Sequence, residues 1–294
     1  MAYLIMLKKR IIAVLPLYHG IVVQSIGFNR YLPIGKPDIA IEFLNSWGID
    51  EIVVLDIMAT KNDLVINPDY VKNFSRKCFV PLAVGGGIRK LSEVDGLIQS
   101  GADKVVVNQS ILKTPELITK IAKNYGDQCV VASVDIIRED NNLFVWDYIS
   151  KSKLKIPISD LLETICQAGA GEILINAVHK DGQYNGYDEE LINEVCRKVT
   201  IPVLACGGAK NAESMIHLLN NTQASAACAG NFFHFFEHSV IITKKQIAQK
   251  SDSIRFETKA NYSNHELNLN GRLIKQSETV LDNLLYLKLE KEII

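Results

Sequence analysis

Val80-Pro-Leu-Ala-Val-Gly-Gly-Gly-Ile-Arg89 is written twice in this chain. A shift of 121 positions puts Ile201-Pro-Val-Leu-Ala-Cys-Gly-Gly-Ala-Lys210 in its place, again an apolar strand followed by paired glycines and a basic residue. The same shift carries Gly48-Ile-Asp-Glu-Ile-Val-Val-Leu-Asp-Ile57 onto Gly169-Ala-Gly-Glu-Ile-Leu-Ile-Asn-Ala-Val178, and Asp103–Asn108 onto Ala224–Ala229. A repeat over most of the chain predicts one domain of two similar halves rather than two separate domains.

Outward from these segments the pattern alternates. Ile11-Ile-Ala-Val-Leu15 is too short for a helix and rich in β-branched residues, so it reads as a strand buried on both faces and ended by Pro16. Leu17 to Asp38 is a glycine- and proline-punctuated segment with a short strand at Ile21–Val23, and a loop of that length in a compact domain is usually functional. Apolar residues at 39, 43, 44 and 47 mark a helix. Further strands are expected at Ile52–Ile57, Pro81–Val84, Lys104–Val107, Val130–Val134, Glu172–Ile175, Pro202–Ala205 and Ala224–Cys228. Helices are expected around 68–78, 91–99, 159–168, 188–198, 211–220 and 239–249. Leu143-Phe-Val-Trp-Asp-Tyr-Ile149 reads as an inserted hairpin over one end. Regular strand–helix alternation with internal two-fold similarity predicts an α/β fold, a (β/α)8 TIM barrel over residues 1–255, with its site at the C-terminal ends of the strands. Residues 256–294 fall outside the repeat and form a short C-terminal extension; Ser277–Ile294 reads as an amphipathic helix or, from Leu285, a strand.

An apolar fraction of 48% and a charged fraction of 22% are those of a soluble globular protein. A net charge of −1 gives no reason to expect nucleic acid as a partner. No apolar run reaches the ~18 residues of a membrane span, and the lysines near the start follow the apolar stretch, the wrong order for a secretory signal. The six cysteines show no CxxC pair or metal-ligand spacing, which fits reduced thiols in the cytoplasm.

Chemistry is expected where strands end. Gly86 and Gly87, and Gly207 and Gly208, lie between a predicted strand and a predicted helix, where backbone amides approach an anion closely. A single such turn is explained by its need for positive φ; two at equivalent places predict a phosphorylated small molecule with an anionic group at each end. Asn108 after strand four would complete the first site, and Gly230 and Asn231 after strand eight the second. Asp56, Asp135, Asn176 and Asp181 stand at or just after strand ends. Asp135 faces the mouth by register, where a partly desolvated carboxylate is either a general acid–base or a loop cap. Arg10, Glu51, Lys104 and Glu172 each begin a strand; singly they read as solvated charges, together as an inward ring that must pair to tolerate burial. His19 and His179 are candidates for the mouth, no histidine cluster suggests a metal, and no cofactor is expected. Cys206, at the second glycine turn, is the thiol to test for reactivity.

Lys9-Arg-Ile-Ile-Ala13, Gly48-Ile-Asp-Glu51, Leu55-Asp-Ile57, Val84-Gly-Gly-Gly-Ile88, Gly101-Ala-Asp-Lys104, Gly171-Glu-Ile-Leu174, Asp181-Gly182 and Gly186-Tyr-Asp188 together resemble HisF, the cyclase subunit of imidazole glycerol phosphate synthase, over about residues 6–250. The resemblance implies a barrel that carries a HisH-type glutaminase on its N-terminal face. It implies that ammonia passes through the barrel to a substrate with two phosphates, and that Arg10, Glu51, Lys104 and Glu172 form the gate. That family uses two catalytic aspartates, ending strands one and five. Asp135 matches the second, but Pro16 stands at the first and can carry no proton. Where the family has Lys-Asp-Gly and then a lysine, this chain has Tyr18-His-Gly20 and Gln24, and Asn176-Ala177 replaces Thr-Ser.

An intact gate with incomplete chemistry points first to a divergent branch that passes ammonia for amidation of a bacterial surface sugar, lipopolysaccharide or flagellar, together with a separate ATP-dependent amidotransferase. The alternative is the cyclase of histidine biosynthesis, which makes imidazole glycerol phosphate and AICAR from PRFAR and ammonia. A third reading is a scaffold that binds a phosphorylated ligand and conducts nothing.

Overall fold

The computed structural model describes residues 8–140, 142–234 and 238–257, with short pieces at 265–268, 272–274, 277 and 279. Eight parallel strands close on themselves. In chain order they are Arg10–Tyr18, Glu51–Asp56, Leu82–Gly85, Lys104–Val107, Val130–Glu139, Glu172–Ala177, Val203–Cys206 and Ala226–Ala229, named here strands one to eight. Each pairs with the next, and strand one pairs with strand eight from Arg10↔Ala226 to Ala13↔Ala229, which shuts the cylinder. This is the expected (β/α)8 barrel.

The internal repeat holds at the level of elements. Adding 121 to strands two and three gives the bounds of strands six and seven, and helices Pro37–Ser46, Pro68–Ser75 and Leu91–Gln99 fall within two residues of Ile158–Ala168, Glu189–Lys198 and Ala212–Asn221. Helices Gln109–Lys113 and Glu116–Tyr125, which follow strand four, have no counterpart in the sequence reading; the first is a single short turn and the pair splits the apolar stripe. Asn67, Asp188 and Asn211 cap their helices through side-chain oxygens, each stabilising by about 1 kcal/mol.

The continuous apolar strands serve two cores. Outward residues such as Ile11, Ala13, Ile52, Val54, Ile173 and Ile175 pack beneath the helices. Inward ones, among them Ile12, Val14, Val53, Ala83, Val106, Val131, Leu174 and Leu204, fill the cylinder. The period of two along each strand therefore also sorts the polar residues. Arg10 begins the inward column of strand one, and Glu51, Lys104 and Glu172 begin those of strands two, four and six.

Pro16 does not end strand one, as its lack of an N–H suggested: the strand runs on to Tyr18, with Pro16↔Leu55 and Leu17↔Asp56 in register. Ile11 and Leu17 present their carbonyls toward strand two, since Asp50 N and Ile57 N donate to them, and Arg10 N points the other way, toward Ser225. By alternation the Pro16 nitrogen faces the strand-eight side, beyond Ala13, the last residue paired there. Proline at that place removes no ladder bond.

The long segment after strand one is an antiparallel hairpin, Ile21–Ile26 with Arg30–Gly35, joined to the end of strand one. A second hairpin, Asn142–Asp147 with Ser152–Leu154, extends strand five at the same end of the barrel. After the last helix, Ser239–Lys250, Lys9 N donates to Ser253 O and Ile254 is buried beside it. Leu267 pairs with Leu273; the helix or strand expected within 277–294 lies outside the described residues, apart from 277 and 279. No helix among the described residues is long and apolar enough to cross a membrane.

Candidate active site

At the N-terminal end the four strand-starting charges meet. Arg10 reaches Glu51 Oε2 and Glu172 Oε1, both at 2.6 Å, and Lys104 Nζ reaches Glu51 Oε1 at 2.9 Å and Glu172 Oε2 at 2.7 Å. Every carboxylate oxygen has one cation and every cation two carboxylates, so the ring is neutral and closed. Glu51 is 1% exposed. Burial works against the charges of Glu172 and Arg10, but their partners outweigh it, holding Glu172 below the usual carboxylate range and raising Arg10.

At the other end a cavity of about 430 Å³ opens among the loops that follow the strands. Asp135 sits on its floor, 4% exposed. Asn108 Nδ2 donates to Asp135 Oδ2 at 2.9 Å and to Ser133 O at 3.0 Å. Asn176 Nδ2 donates to Asp135 Oδ1 at 2.8 Å and to Ser133 Oγ at 3.0 Å. Burial pushes the Asp135 carboxyl up to about 6, against the two amide donors, which favour its charged form. Such a group is mostly ionised near neutral pH and exchanges a proton readily, the property a general base needs.

Pro16 lines the same cavity from strand one, in inward register above Ile12 and Val14, and brings a ring of methylenes and no polar atom. His19 does not cover the gap. It lies exposed at a turn with φ of 50°, packed edge-on against Tyr18, because the chain reverses there into the hairpin. His179 also stands apart from the mouth: its Nδ1 accepts from Arg138 N and its Nε2 faces Asp188, which Arg138 grips with two nitrogens at 2.9 Å. Cys206, the thiol singled out for testing, lines the cavity, but burial pushes it up to about 12, leaving almost no thiolate, the state of a structural thiol.

The glycine turns form two cradles on the cavity wall. Gly86 and Gly87 have φ of 135° and 69°, and Gly207 and Gly208 have 103° and 94°. A Cβ at Gly87 would stand 1.9 Å from Leu64 O, and one at Gly208 2.2 Å from Gly186 O, so neither place admits a side chain. Among the described residues the amides of Gly87, Ile88, Gly208 and Ala209 make no backbone hydrogen bond, and all four residues line the cavity. Gly230 closes the second cradle; a Cβ there would meet Val14 O at 2.6 Å.

Three expected mouth residues hold loops with their side chains. Asp56 Oδ1 accepts from Met58 N and Ala59 N. Asp181 Oδ2 accepts from Ser25 Oγ at 2.6 Å and Phe28 N at 3.1 Å. Asn231 spends both ends on Ser25, accepting from its N at 3.1 Å and donating to its O at 2.6 Å. Asp181 and Asn231 thus fasten the hairpin over the mouth and bring Phe28 and Tyr31 to its wall. Arg89, ion-paired with Asp63, and Lys113 add cations near the first cradle. The sequence reading gave Arg89 no role, although it stands two residues beyond Gly87 and matches Lys210 in the repeat. Tyr148, whose hydroxyl donates to Thr60 Oγ1 at 2.9 Å, had no signal beyond its place in the inserted hairpin.

A family model described as histidine biosynthesis protein matches residues 10–239. The chain is 39% identical over 267 residues to a putative imidazole glycerol phosphate synthase subunit hisF2 of Vibrio vulnificus, covering 91% of this chain and 98% of that one. It is 36% identical over 251 residues to the imidazole glycerol phosphate synthase subunit HisF of Streptococcus mutans, covering 85% and 100%. Similarity of 37% over 251 residues links it to the HisF subunit of Alkaliphilus metalliredigens, again covering 85% and 100%.

Proposed function

The chain belongs to the HisF family, and on that footing we propose that it is the ammonia-using synthase subunit of a glutamine amidotransferase, with a HisH-type glutaminase on its N-terminal face. The observation that carries this reading is the closed ring of Arg10, Glu51, Lys104 and Glu172 beneath an apolar barrel interior. A ring of two buried carboxylates and two half-buried cations is poorly explained by stability, since apolar replacements of buried ion pairs are often neutral or stabilising. It is well explained as a gate: one cation must swing aside for a small molecule to enter, and its two carboxylates call it back. Above it, Ile12, Val53, Ala83 and Leu174 offer a charge no compensation, so neutral ammonia is admitted and ammonium is opposed by several kcal/mol of desolvation. The six free cysteines support a cytoplasmic setting.

In the mouth, the two glycine cradles hold the phosphates of the acceptor, and Asp135 takes the proton released as ammonia attacks. For the reaction itself, the names of the relatives favour imidazole glycerol phosphate synthesis from PRFAR over the surface-sugar amidation that the sequence put first. Pro16 is the one observation on the other side. With one of two proton-handling carboxylates missing, ring closure is expected to lose on the order of 10² to 10⁴ in rate, whereas handing ammonia to a separate ATP-dependent amidotransferase loses nothing. Expression in a histidine auxotroph lacking its cyclase separates the two: growth supports cyclisation, and failure of a folded, glutaminase-stimulating chain supports transfer. No stimulation of a cognate glutaminase on mixing would overturn both.

A further inference from the structure

Resting on the reading that ammonia is used in this mouth, we propose that Asn176 Oδ1 and the Asp135 carboxylate form a two-acceptor cradle that holds ammonia, or ammonium, by its N–H bonds where the barrel interior opens into the cavity. The argument begins with the orientation of one amide. Asn176 Nδ2 lies 2.8 Å from Asp135 Oδ1 and 3.0 Å from Ser133 Oγ. An ionised carboxylate only accepts, so the nitrogen must face Asp135, and both of its hydrogens are then spent. The carbonyl oxygen on the same amide, beside Asp135, is left to accept.

Asn176 is 7% exposed and lines the cavity, yet no hydrogen bond reaches its Oδ1 among the described residues. Nor is that oxygen sealed from the cavity. It is an acceptor held rigid, almost wholly buried, and aimed at open space.

Asp135 stands beside it in the same condition. Its oxygens accept one hydrogen bond each from Asn108 and Asn176, leaving half of the carboxylate's lone-pair positions unused. The charges that bear most on it among the described residues are acidic, with Arg89 and Lys113 standing at the first glycine cradle on the same wall. Asp147 from the inserted hairpin and Asp181 from the loop after strand six oppose its ionisation, and Tyr31, Tyr148 and Cys206 are neutral. Asn176 also stands two and four residues beyond Leu174 and Glu172 on the inward face of strand six, so the cradle crowns a column whose foot is the ring.

The donor–acceptor count sets the chemistry of the ligand. Two neighbouring acceptors with unused lone pairs call for a small molecule that donates, and on the reading that ammonia is used here its several N–H bonds fit them. Ammonia held by two of them keeps its lone pair free and pointing away from the protein, toward whatever lies between the glycine cradles. A potassium ion of similar radius would be drawn by the same oxygens, but only ammonium gains directed N–H bonds from them.

Carboxylate ¹³C NMR of the full chain tests this without glutaminase or acceptor. Ammonium chloride should lower the Asp135 midpoint by about one pH unit, the effect expected of a cation held within hydrogen-bond reach. Potassium chloride and tetramethylammonium chloride at equal ionic strength should leave it in place. Asn176→Leu should abolish the ammonium response, with Asn176→Ala as the second variant should the leucine fail to fold. The same shift with all three salts, or an undiminished ammonium response in the variants, overturns the cradle. If ammonium binds as described while substitutions in the ring leave glutaminase coupling untouched, the conduit falls and the cradle stands.

Discussion

Glu51 and Glu172 are the same position in the two halves of the barrel, 121 residues apart, and each is tied to the other only through shared cations. Arg10 and Lys104 both bond both carboxylates. Removing one cation therefore unbalances two anions at once. Lys104→Met should destabilise the chain by about 3 to 5 kcal/mol in urea denaturation, the usual consequence of leaving a buried charge uncompensated. Adding Glu172→Gln should recover much of that loss by restoring neutrality. If the ring is a gate, the double variant stays uncoupled from glutaminase despite its recovered stability. Coupling that tracks stability through both variants would reduce the ring to a structural plug.

Asp135 and Glu172 should answer pH in opposite senses. Burial raises Asp135 to about 6, so the folded chain holds that proton more tightly than the unfolded one. Its contribution to stability is full below about pH 4, the ordinary aspartate value, and is lost as pH rises through about 6. Glu172 is held low by Arg10 and Lys104 in spite of burial; its contribution is full above the ordinary glutamate value near ~4.3 and disappears on acidification. Urea midpoints across this range should show Asp135→Asn removing the decline on the neutral side and Glu172→Gln removing the loss on the acid side. A wild-type to Asp135→Asn difference that stays flat from about pH 4 to about pH 7 would contradict the raised carboxyl.

The glycine cradles predict a position-specific effect of a single methyl. Gly87→Ala combines positive φ with a Cβ 1.9 Å from Leu64 O, whereas Gly27→Ala has positive φ with nothing within 4 Å. Both should lose the ~1 to 2 kcal/mol expected of a left-handed alanine, and only Gly87→Ala should lose more by displacing the loop at Leu64. Titration with inorganic phosphate should find weakened binding in Gly87→Ala and unchanged binding in Gly27→Ala. Equal phosphate affinity in the two would remove the first cradle from the binding site.

The barrel was legible because one repeat, one strand pattern and one register rule suffice for it: Glu51 and Glu172 fall inward for the same reason as Val53 and Leu174. The bonds of the ring followed from that register. Three things were not legible. Pro16 looked like a strand end because its missing N–H is visible in sequence, while the side that nitrogen faces is not. Asp181 and Asn231 looked like ligand groups because position near a strand end does not say whether a side chain turns toward a ligand or toward Ser25. His19 and His179 were misplaced by the same ambiguity, which only the path of the hairpins resolves.

Pro16 offers the sharpest test, because the backbone already suits a carboxylate there. Its nitrogen lies on the side of strand one without ladder pairing, and its side chain lines the mouth, on the strand opposite the one that carries Asp135. Pro16→Asp should fold, and it adds a further carboxylate facing Asp135, which Asp147 and Asp181 already oppose, so the Asp135 midpoint should rise above about 6. If the native chain is a cyclase working with one proton-handling group, the substitution should raise ring closure by on the order of 10² or more. An assay with PRFAR and ammonium salt bypasses the gate and reads this directly. If the acceptor is something else, Pro16→Asp should still shift Asp135 but leave PRFAR untouched, because the rest of the mouth, Asn176 included, would be shaped for another ligand. A raised Asp135 midpoint without ring closure would therefore exclude the histidine-pathway reaction more firmly than failure of the native chain to complement.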